Sequence, residues 1–86
     1  MYYVYIVQCA DETLYTGIAT DIKRRLEEHN NSKKGAKYTR VRRPVMLVYS
    51  EALPDRSSAL KREYAIKKKM NRKEKLQLIK HRLNAP

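Results

Sequence analysis

The sequence predicts an α+β domain whose elements follow the order strand, strand, helix, strand, helix, helix. Three observations lead to this prediction: an alternating aromatic and β-branched segment near the start, a short apolar run after a proline in the middle, and three segments with helix caps or helical apolar spacing. The chain has 86 residues, enough for one domain with a modest core. We therefore expect a single domain over residues 1–86.

The first two strands are predicted to form a β-hairpin. The segment YVYIVQCADETLYTGI, residues 3–18, alternates in character on both sides of a polar break at residues 10–12. If the register pairs odd residues with odd residues, one face of the hairpin carries four of them: Tyr3, Tyr5, Val7 and Tyr15. A purely structural hairpin would carry aliphatic residues on that face, so the phenols need a further explanation.

The next helix and strand are marked by a cap and a proline. Thr20 or Asp21 can cap a first helix that runs to about Asn30. A loop follows, and Pro44 then precedes an apolar run, residues 45–49. Such a nearly continuous run is typical of a strand with a buried position in its sheet.

Two further helices are predicted in the last third of the chain. Asp55 can cap a second helix that reaches about Met70. Asn71 and Glu74 have the spacing of a capping box, which indicates that a third helix begins there. Its apolar stripe is predicted to consist of Leu76, Ile79 and Leu83.

The net charge narrows the class of partner. Twenty Lys and Arg against nine Asp and Glu give +11. This excess favours nucleic acid over an anionic membrane or mere solubility, because no amphipathic anchor with a large apolar edge is present. The longest apolar-leaning run, residues 2–7, is too short to span a membrane. A single cysteine cannot form an internal disulfide, and one cysteine with two histidines at no close spacing does not favour a structural zinc site. These features predict a cytoplasmic protein.

The positive charge is concentrated in two clusters. Between His29 and Ser50 there is no acidic residue, and the basic residues there surround Tyr38. Basic runs are most often solvated surface, but two such runs with an interleaved aromatic favour contact with phosphates. The residues predicted to bind nucleic acid are Lys33, Lys34, Lys37, Tyr38, Arg40, Arg42 and Arg43. The second cluster, at the junction of the last two helices, consists of Lys67, Lys68, Lys69, Arg72, Lys73 and Lys75.

Polar side chains lie on the apolar stripe of the first helix. Ile22 and Leu26 must face the core, and Arg25 and His29 share their stripe at the spacings i, i+3, i+4 and i+7. These two charged or ionisable residues are therefore predicted to point toward the sheet.

A carboxylate occupies the corresponding place on the second helix. The predicted inner face consists of Ala59, Leu60, Ile66 and Met70, and Glu63 lies in its middle. A carboxylate buried without a partner is costly, so Glu63 must be paired, protonated or bound to a cation.

Two interpretations of these polar residues are equally supported by the sequence pattern. One is a core salt bridge between Arg25 and Glu63. The other is a site for phosphoryl transfer, which needs a carboxylate for a divalent metal, a guanidinium for phosphate charge, and a group that positions or deprotonates water. The candidate catalytic residues under the second interpretation are Tyr5, Tyr15, Arg25, His29 and Glu63.

The motifs resemble those of a known family. Tyr3-Val4-Tyr5 and Tyr15-Thr16-Gly17, followed by the helix arginine, resemble the paired motifs of the GIY-YIG nucleases, with Tyr5 and Tyr15 as the signature tyrosines. The family's metal-binding glutamate maps on Glu63, and His29 matches a histidine of several branches. The resemblance covers about residues 2–70, and the segments KYTRVRRP and SSALKREYAIKK resemble its small single-domain bacterial branch, of the UPF0213 type.

The resemblance implies a three-stranded antiparallel sheet flanked by helices, and metal-dependent hydrolysis of DNA that is linked to repair or recombination. RNA stays open as a substrate, and the oligomeric state is not predicted. By this resemblance Glu63 would hold Mg²⁺ or Mn²⁺, Tyr5 would orient and partly deprotonate water, Arg25 would offset phosphate charge, and Tyr15 would bind the phosphate. His29 would accept a proton, since its charge can change near neutral pH.

Two positions depart from the family pattern. Tyr3 replaces the glycine of the first tripeptide, and Ile18 stands where excision-repair relatives carry a lysine. That lysine could help deprotonate the tyrosine, so its absence predicts a slow enzyme. The alternatives are a non-catalytic DNA- or RNA-binding module on the same scaffold and, with support from charge alone, an accessory protein of a ribonucleoprotein.

Overall fold

The computed structural model describes the backbone of residues 1–83 and the side chains of residues 1–81. Its strands are β1 (Tyr2–Gln8), β2 (Leu14–Ala19) and β3 (Met46–Leu53). Its helices are α1 (Ile22–Asn31), the short α2 (Lys37–Arg40), α3 (Arg56–Tyr64), which continues into a π-helical turn (Ala65–Lys69), and α4 (Arg72–Leu83). The predicted fold class and element order are confirmed, with α2 added where a loop was predicted.

The three strands form one antiparallel sheet in the order β2-β1-β3. In the hairpin Tyr5 pairs with Gly17 and Val7 pairs with Tyr15, so odd residues do pair with odd residues. The predicted shared face is therefore correct. The central strand β1 is covered on both faces, which explains why its middle residues, 4–7, are all buried.

Strand β3 differs from the prediction in position and length. It lies at an edge of the sheet and runs from Met46 to Leu53, so the predicted buried position is wrong. The apolar run was misleading because burial along it is uneven: Val45 and Tyr49 are buried, whereas Met46 is 62% exposed.

Helices cover both faces of the sheet. On the even face, Val4 and Ile6 of β1 pack with Ala59 and Ile66 of α3 and its π-helical turn, and with Ile79 of α4. On the odd face, Tyr5 and Val7 pack with Ile22 and Leu26 of α1. Within residues 1–83, no helix combines the length and apolar character that a membrane crossing requires.

The helix starts follow the predicted caps. Asp21 accepts a hydrogen bond from the Arg24 amide at 3.0 Å, and Asp55 accepts one from the Ser58 amide at 2.7 Å. Asn71 and Glu74 form the predicted capping box, in which each side chain accepts from the other's amide. Caps of this kind stabilise a helix by about 1 kcal/mol each.

The predicted apolar stripes of the last two long helices are partly wrong. Leu60 and Leu76 are 38% and 42% exposed, whereas Ala59, Ile66 and Ile79 are buried. A sheet of three strands has a narrow face, so it covers only part of each stripe. The side chain of Leu83 lies outside the described residues.

Candidate active site

The buried phenol of Tyr5 crosses the neighbouring strand at Gly17, its partner in the register. A β carbon added to Gly17 would lie 2.6 Å from the Tyr5 hydroxyl oxygen and 2.8 Å from its ring carbon Cζ. Neither Gly17 nor Gly35 has a positive φ. Gly17 is therefore needed because it leaves room for the phenol of Tyr5. This close approach explains the glycine of the Tyr-Thr-Gly motif.

The Tyr5 hydroxyl begins a chain of buried hydrogen bonds. It lies 2.7 Å from Nε2 of His29, whose Nδ1 lies 2.8 Å from Oγ1 of Thr39. Thr39 in turn donates its only proton to the carbonyl of Ala36 at 3.0 Å. Thr39 must therefore accept from Nδ1–H of His29, and this assignment leaves Nε2 as the acceptor for the Tyr5 hydroxyl.

Burial sets the protonation states of this chain. It raises the pKa of Tyr5 to about 12, although the nearby Arg25 guanidinium acts in the opposite direction. It lowers the pKa of His29 to about 4, and the charge of Arg25 adds to this effect. At neutral pH Tyr5 is a neutral donor and His29 a neutral acceptor. The expectation that His29 changes charge near neutral pH is thus wrong.

The lowered pKa of His29 makes folding stability dependent on pH. The unfolded chain has the ordinary pKa of 6.5 and the folded chain about 4, so the unfolded state binds more protons between these values. The stability contributed by neutral His29 is fully present above pH 6.5 and is lost as the pH falls toward 4. We expect urea unfolding to show a loss on the order of 3 kcal/mol across this window. His29→Gln should show a smaller loss, and equal losses in both proteins would contradict this origin.

Tyr15 lies beside the same histidine. Its ring centroid is 5.5 Å from that of His29 in an edge-to-face arrangement, and 5.9 Å from that of Tyr38 in a stacked arrangement. Burial raises the pKa of the Tyr15 phenol. Both signature tyrosines and His29 therefore meet on the odd face of the sheet, as the sequence predicts.

The predicted salt bridge between Arg25 and Glu63 is not formed. Nη1 of Arg25 lies 2.9 Å from Oε1 of Glu28 and donates to the Lys34 carbonyl at 2.8 Å. Glu63 is half-buried, and its charge contributes to raising the pKa values of both Tyr5 and Tyr15. In the part of the chain whose side chains are described, Glu63 makes no hydrogen bond or salt bridge. Its carboxylate thus lies unpaired near the two phenols.

Such a carboxylate fits a divalent cation that is shared with a substrate. Mg²⁺ is commonly held by one or two carboxylates, while waters and substrate phosphates fill its other positions. Among the residues described, no three His, Cys, Asp or Glu side chains come together as a metal cluster. A site enclosed by protein ligands is therefore not formed there, whereas a site with Glu63 as its single carboxylate is compatible with the arrangement.

The predicted nucleic-acid-binding residues have different environments. Five of them are exposed: Lys33, Lys34, Lys37, Tyr38 and Arg40. Arg42 contacts Asp11 at 3.0 Å and its guanidinium carbon lies 3.9 Å from the Tyr38 ring centroid, so it holds that ring in place. Arg43 donates to the carbonyls of Glu28, His29 and Ser32 at the end of α1. Its donors point into the protein, so a phosphate role for Arg43 is not supported.

Two features of the site escaped the sequence analysis. Thr39 lies in α2, which was predicted as a loop, and the basic residues and the family resemblance of its segment drew attention to its neighbours but not to Thr39 itself. Ile18 pairs with Val4 and packs on the even face, away from Tyr5. A side chain at position 18 does not face the phenol, so the slow activity predicted from the missing lysine loses its basis.

The chain is similar to several known proteins. The family model described as "GIY-YIG catalytic domain" matches residues 1–77. A UPF0213 protein of Syntrophus aciditrophicus is 60% identical over 78 residues, which are 91% of this chain and 88% of that protein. The UPF0213 protein DP2720 of Desulfotalea psychrophila is 73% identical over 66 residues, 77% of this chain, and the match spans 60% of that longer protein.

Solved structures of two similar proteins have the same fold. The solution structure of the UPF0213 protein BH0048 from Bacillus halodurans is 46% identical, with a TM-score of 0.59, and the match covers 93% of this chain and 84% of that one. The solution structure of EF2693 from E. faecalis is 44% identical, with a TM-score of 0.66 and coverage of 99% and 88%.

Proposed function

Because the chain belongs to the GIY-YIG family, within its small UPF0213 branch, we propose that it is an endonuclease. It hydrolyses phosphodiester bonds in DNA with a divalent metal ion, in repair or recombination. The observation that carries the proposal is the hydrogen-bonded chain from Tyr5 through His29 to Thr39, which lies near the unpaired carboxylate of Glu63.

The proton path follows from the assigned hydrogen bonds. The Tyr5 hydroxyl orients the attacking water and takes its proton, while the phenolic proton passes to Nε2 of His29. Thr39 accepts from Nδ1–H throughout, so it holds the imidazole in the tautomer that can receive this proton. Glu63 would hold a Mg²⁺ or Mn²⁺ ion, whose positive charge would offset the charge of the phosphate and make the attacking water easier to deprotonate.

Arg25 and Tyr15 act on the phosphate. Arg25 lies close enough to Tyr5 for its charge to oppose the rise in the pKa of that phenol, and its Nη1 is fixed by Glu28 and Lys34. A guanidinium held in this way offsets charge that develops on the phosphate without having to reorganise. The Tyr15 phenol, which packs edge-to-face against His29, donates to a phosphate oxygen.

Cleavage is tested directly with supercoiled plasmid. The purified chain should nick it in Mg²⁺ or Mn²⁺, stop in EDTA, and resume when the metal ion is added in excess. Binding without any nicking would contradict the proposal and would favour the non-catalytic binding module.

Thr39→Val tests the tautomer assignment. Valine keeps the shape of threonine but removes the hydroxyl that accepts from Nδ1–H, so the imidazole can rotate or exchange its proton position. We expect kcat to fall about 10-fold or more, with little change in KM, because removing a neutral hydrogen bond of about 1 kcal/mol already costs several-fold. Thr39→Ser should restore the rate. If both variants cleave alike, the hydroxyl has no positioning role.

Binding to DNA is expected to be largely electrostatic. Neutralising Lys34, Lys37 and Arg40 to glutamine should flatten the dependence of log K on log salt by about 2–3 units, at roughly 0.9 for each phosphate that the protein no longer neutralises. The matched control removes the same charge elsewhere, from the exposed Lys23, Arg24 and Lys61. A slope that changes equally in both triple variants would mean that α2 and the segment before it do not bind the DNA backbone.

A further inference from the structure

A pocket adjoins the candidate active site and shares Tyr15 with it. It has a volume of about 340 Å³ and is lined by Leu14, Tyr15, Thr16, Tyr38, Lys67 and Lys75. This volume is at the lower end of the range for small-molecule sites, ~300–1,000 Å³. Tyr15 forms one wall of the pocket and also contacts His29. A ligand in the pocket would therefore lie next to the candidate active site.

One wall of the pocket is positively charged. Nζ of Lys67 lies 5.2 Å from the centroid of the Tyr15 ring, and Lys75 of α4 contributes a second ammonium group. Lys67 belongs to the π-helical turn that extends α3. No carboxylate is among the lining residues. Two cations without a lining acidic group favour an anionic ligand.

The aromatic part of the lining is held in place. Tyr38 stacks on Tyr15, and the guanidinium of Arg42 lies 3.9 Å from the Tyr38 ring centroid. Arg42 is fixed in turn by Asp11 and by the Tyr38 carbonyl. The ring is thus positioned before any ligand arrives, although 38% of Tyr38 is exposed. A lining that combines fixed aromatic rings with two cations matches a flat ring that carries a phosphate.

We propose that this pocket binds one unpaired nucleotide next to the scissile phosphate, with its base against Tyr38 and Tyr15 and its phosphate on Lys67 and Lys75. The position next to a scissile phosphate rests on the proposed function. A base inside a duplex is paired and stacked and has to leave the helix to enter such a pocket. The substrate class is therefore DNA with single-stranded or unpaired nucleotides.

Binding in EDTA tests the pocket without any need for cleavage. A fluorescent single strand of about 20 nucleotides should bind about 10-fold tighter than its duplex at the same salt concentration. Tyr38→Ala should weaken single-strand binding about 10-fold, the loss expected for one stacked base, and leave duplex binding unchanged. Lys67→Gln should weaken single-strand binding. It should also flatten the dependence of log K on log salt by about 0.7 units, the value for one neutralised phosphate on a single strand.

The matched controls are Tyr64→Ala and Lys61→Gln, since both residues are exposed and neither lines the pocket. Equal affinity for single strand and duplex, or equal effects of Tyr38→Ala and Tyr64→Ala, would overturn the pocket. An RNA strand that binds more tightly than DNA would overturn the assignment of DNA. Preferential binding through Tyr38 with no plasmid nicking would support the pocket and contradict only the nuclease proposal.

Discussion

Glu63→Gln should abolish metal-dependent cleavage. The affinity for DNA in EDTA should stay within about two-fold, since that affinity comes from the basic residues. Glutamine keeps the size of the side chain but loses the negative charge that holds a hard cation. Stability should change little, because Glu63 is not part of a salt bridge or hydrogen bond among the described side chains. The measurements are plasmid nicking, DNA binding by anisotropy, and thermal unfolding.

The control for this prediction is Glu27→Gln, which makes the same change on the exposed surface of α1. It should cleave at the wild-type rate. Cleavage by both variants would point to another metal ligand or to a contaminating nuclease. Unfolding of Glu63→Gln alone would show that the carboxylate has a structural partner, as the salt-bridge interpretation of the sequence supposed.

Tyr5→Phe should slow cleavage by about 10²–10⁴-fold, the usual effect of losing a positioned proton-transfer group. The substitution also leaves the buried Nε2 of His29 without its donor, so we expect a stability loss of about 1–3 kcal/mol. Single-turnover cleavage and urea unfolding separate these two effects. DNA affinity should not change, because the phenol is buried and uncharged at neutral pH.

Tyr49→Phe is the matched control for the phenol. Tyr49 is also buried, and its hydroxyl donates to Glu51 at 2.9 Å, within the core cluster of the even face. Its loss should lower stability to a similar degree and leave cleavage intact. If both variants lose the same fraction of activity, the effect of Tyr5→Phe is one of stability and the proton path is wrong.

The sequence predicted best what depends on local spacing. The parity of Tyr5 and Tyr15 indicated their shared face, because side chains in a strand alternate with a period of two. The caps at Asp21 and Asp55 were predictable because each acts on its own first turn. The helical spacing of His29 likewise placed it toward the sheet, where it is fully buried.

Contacts between distant segments could not be predicted in the same way. The salt-bridge interpretation joined Arg25 to Glu63 across two helices, but Arg25 binds Glu28 three residues along its own helix, and Glu63 stays unpaired among the described side chains. Thr39 meets His29 only because Gly35 lets the loop pass close to α1, where a β carbon would lie 2.7 Å from the Glu28 carbonyl. The pKa of His29 depends on burial from all sides, which no single stretch of sequence records.

The most direct test of the central claim is the initial rate of plasmid nicking by wild-type chain and Glu63→Gln, purified side by side, as Mg²⁺ or Mn²⁺ is raised from zero. We predict a saturable rise for the wild type and no rise for the variant. The same metal-stimulated rate in both preparations, or DNA binding by the wild type without nicking at any metal concentration, would contradict the claim that this chain is a metal-dependent endonuclease.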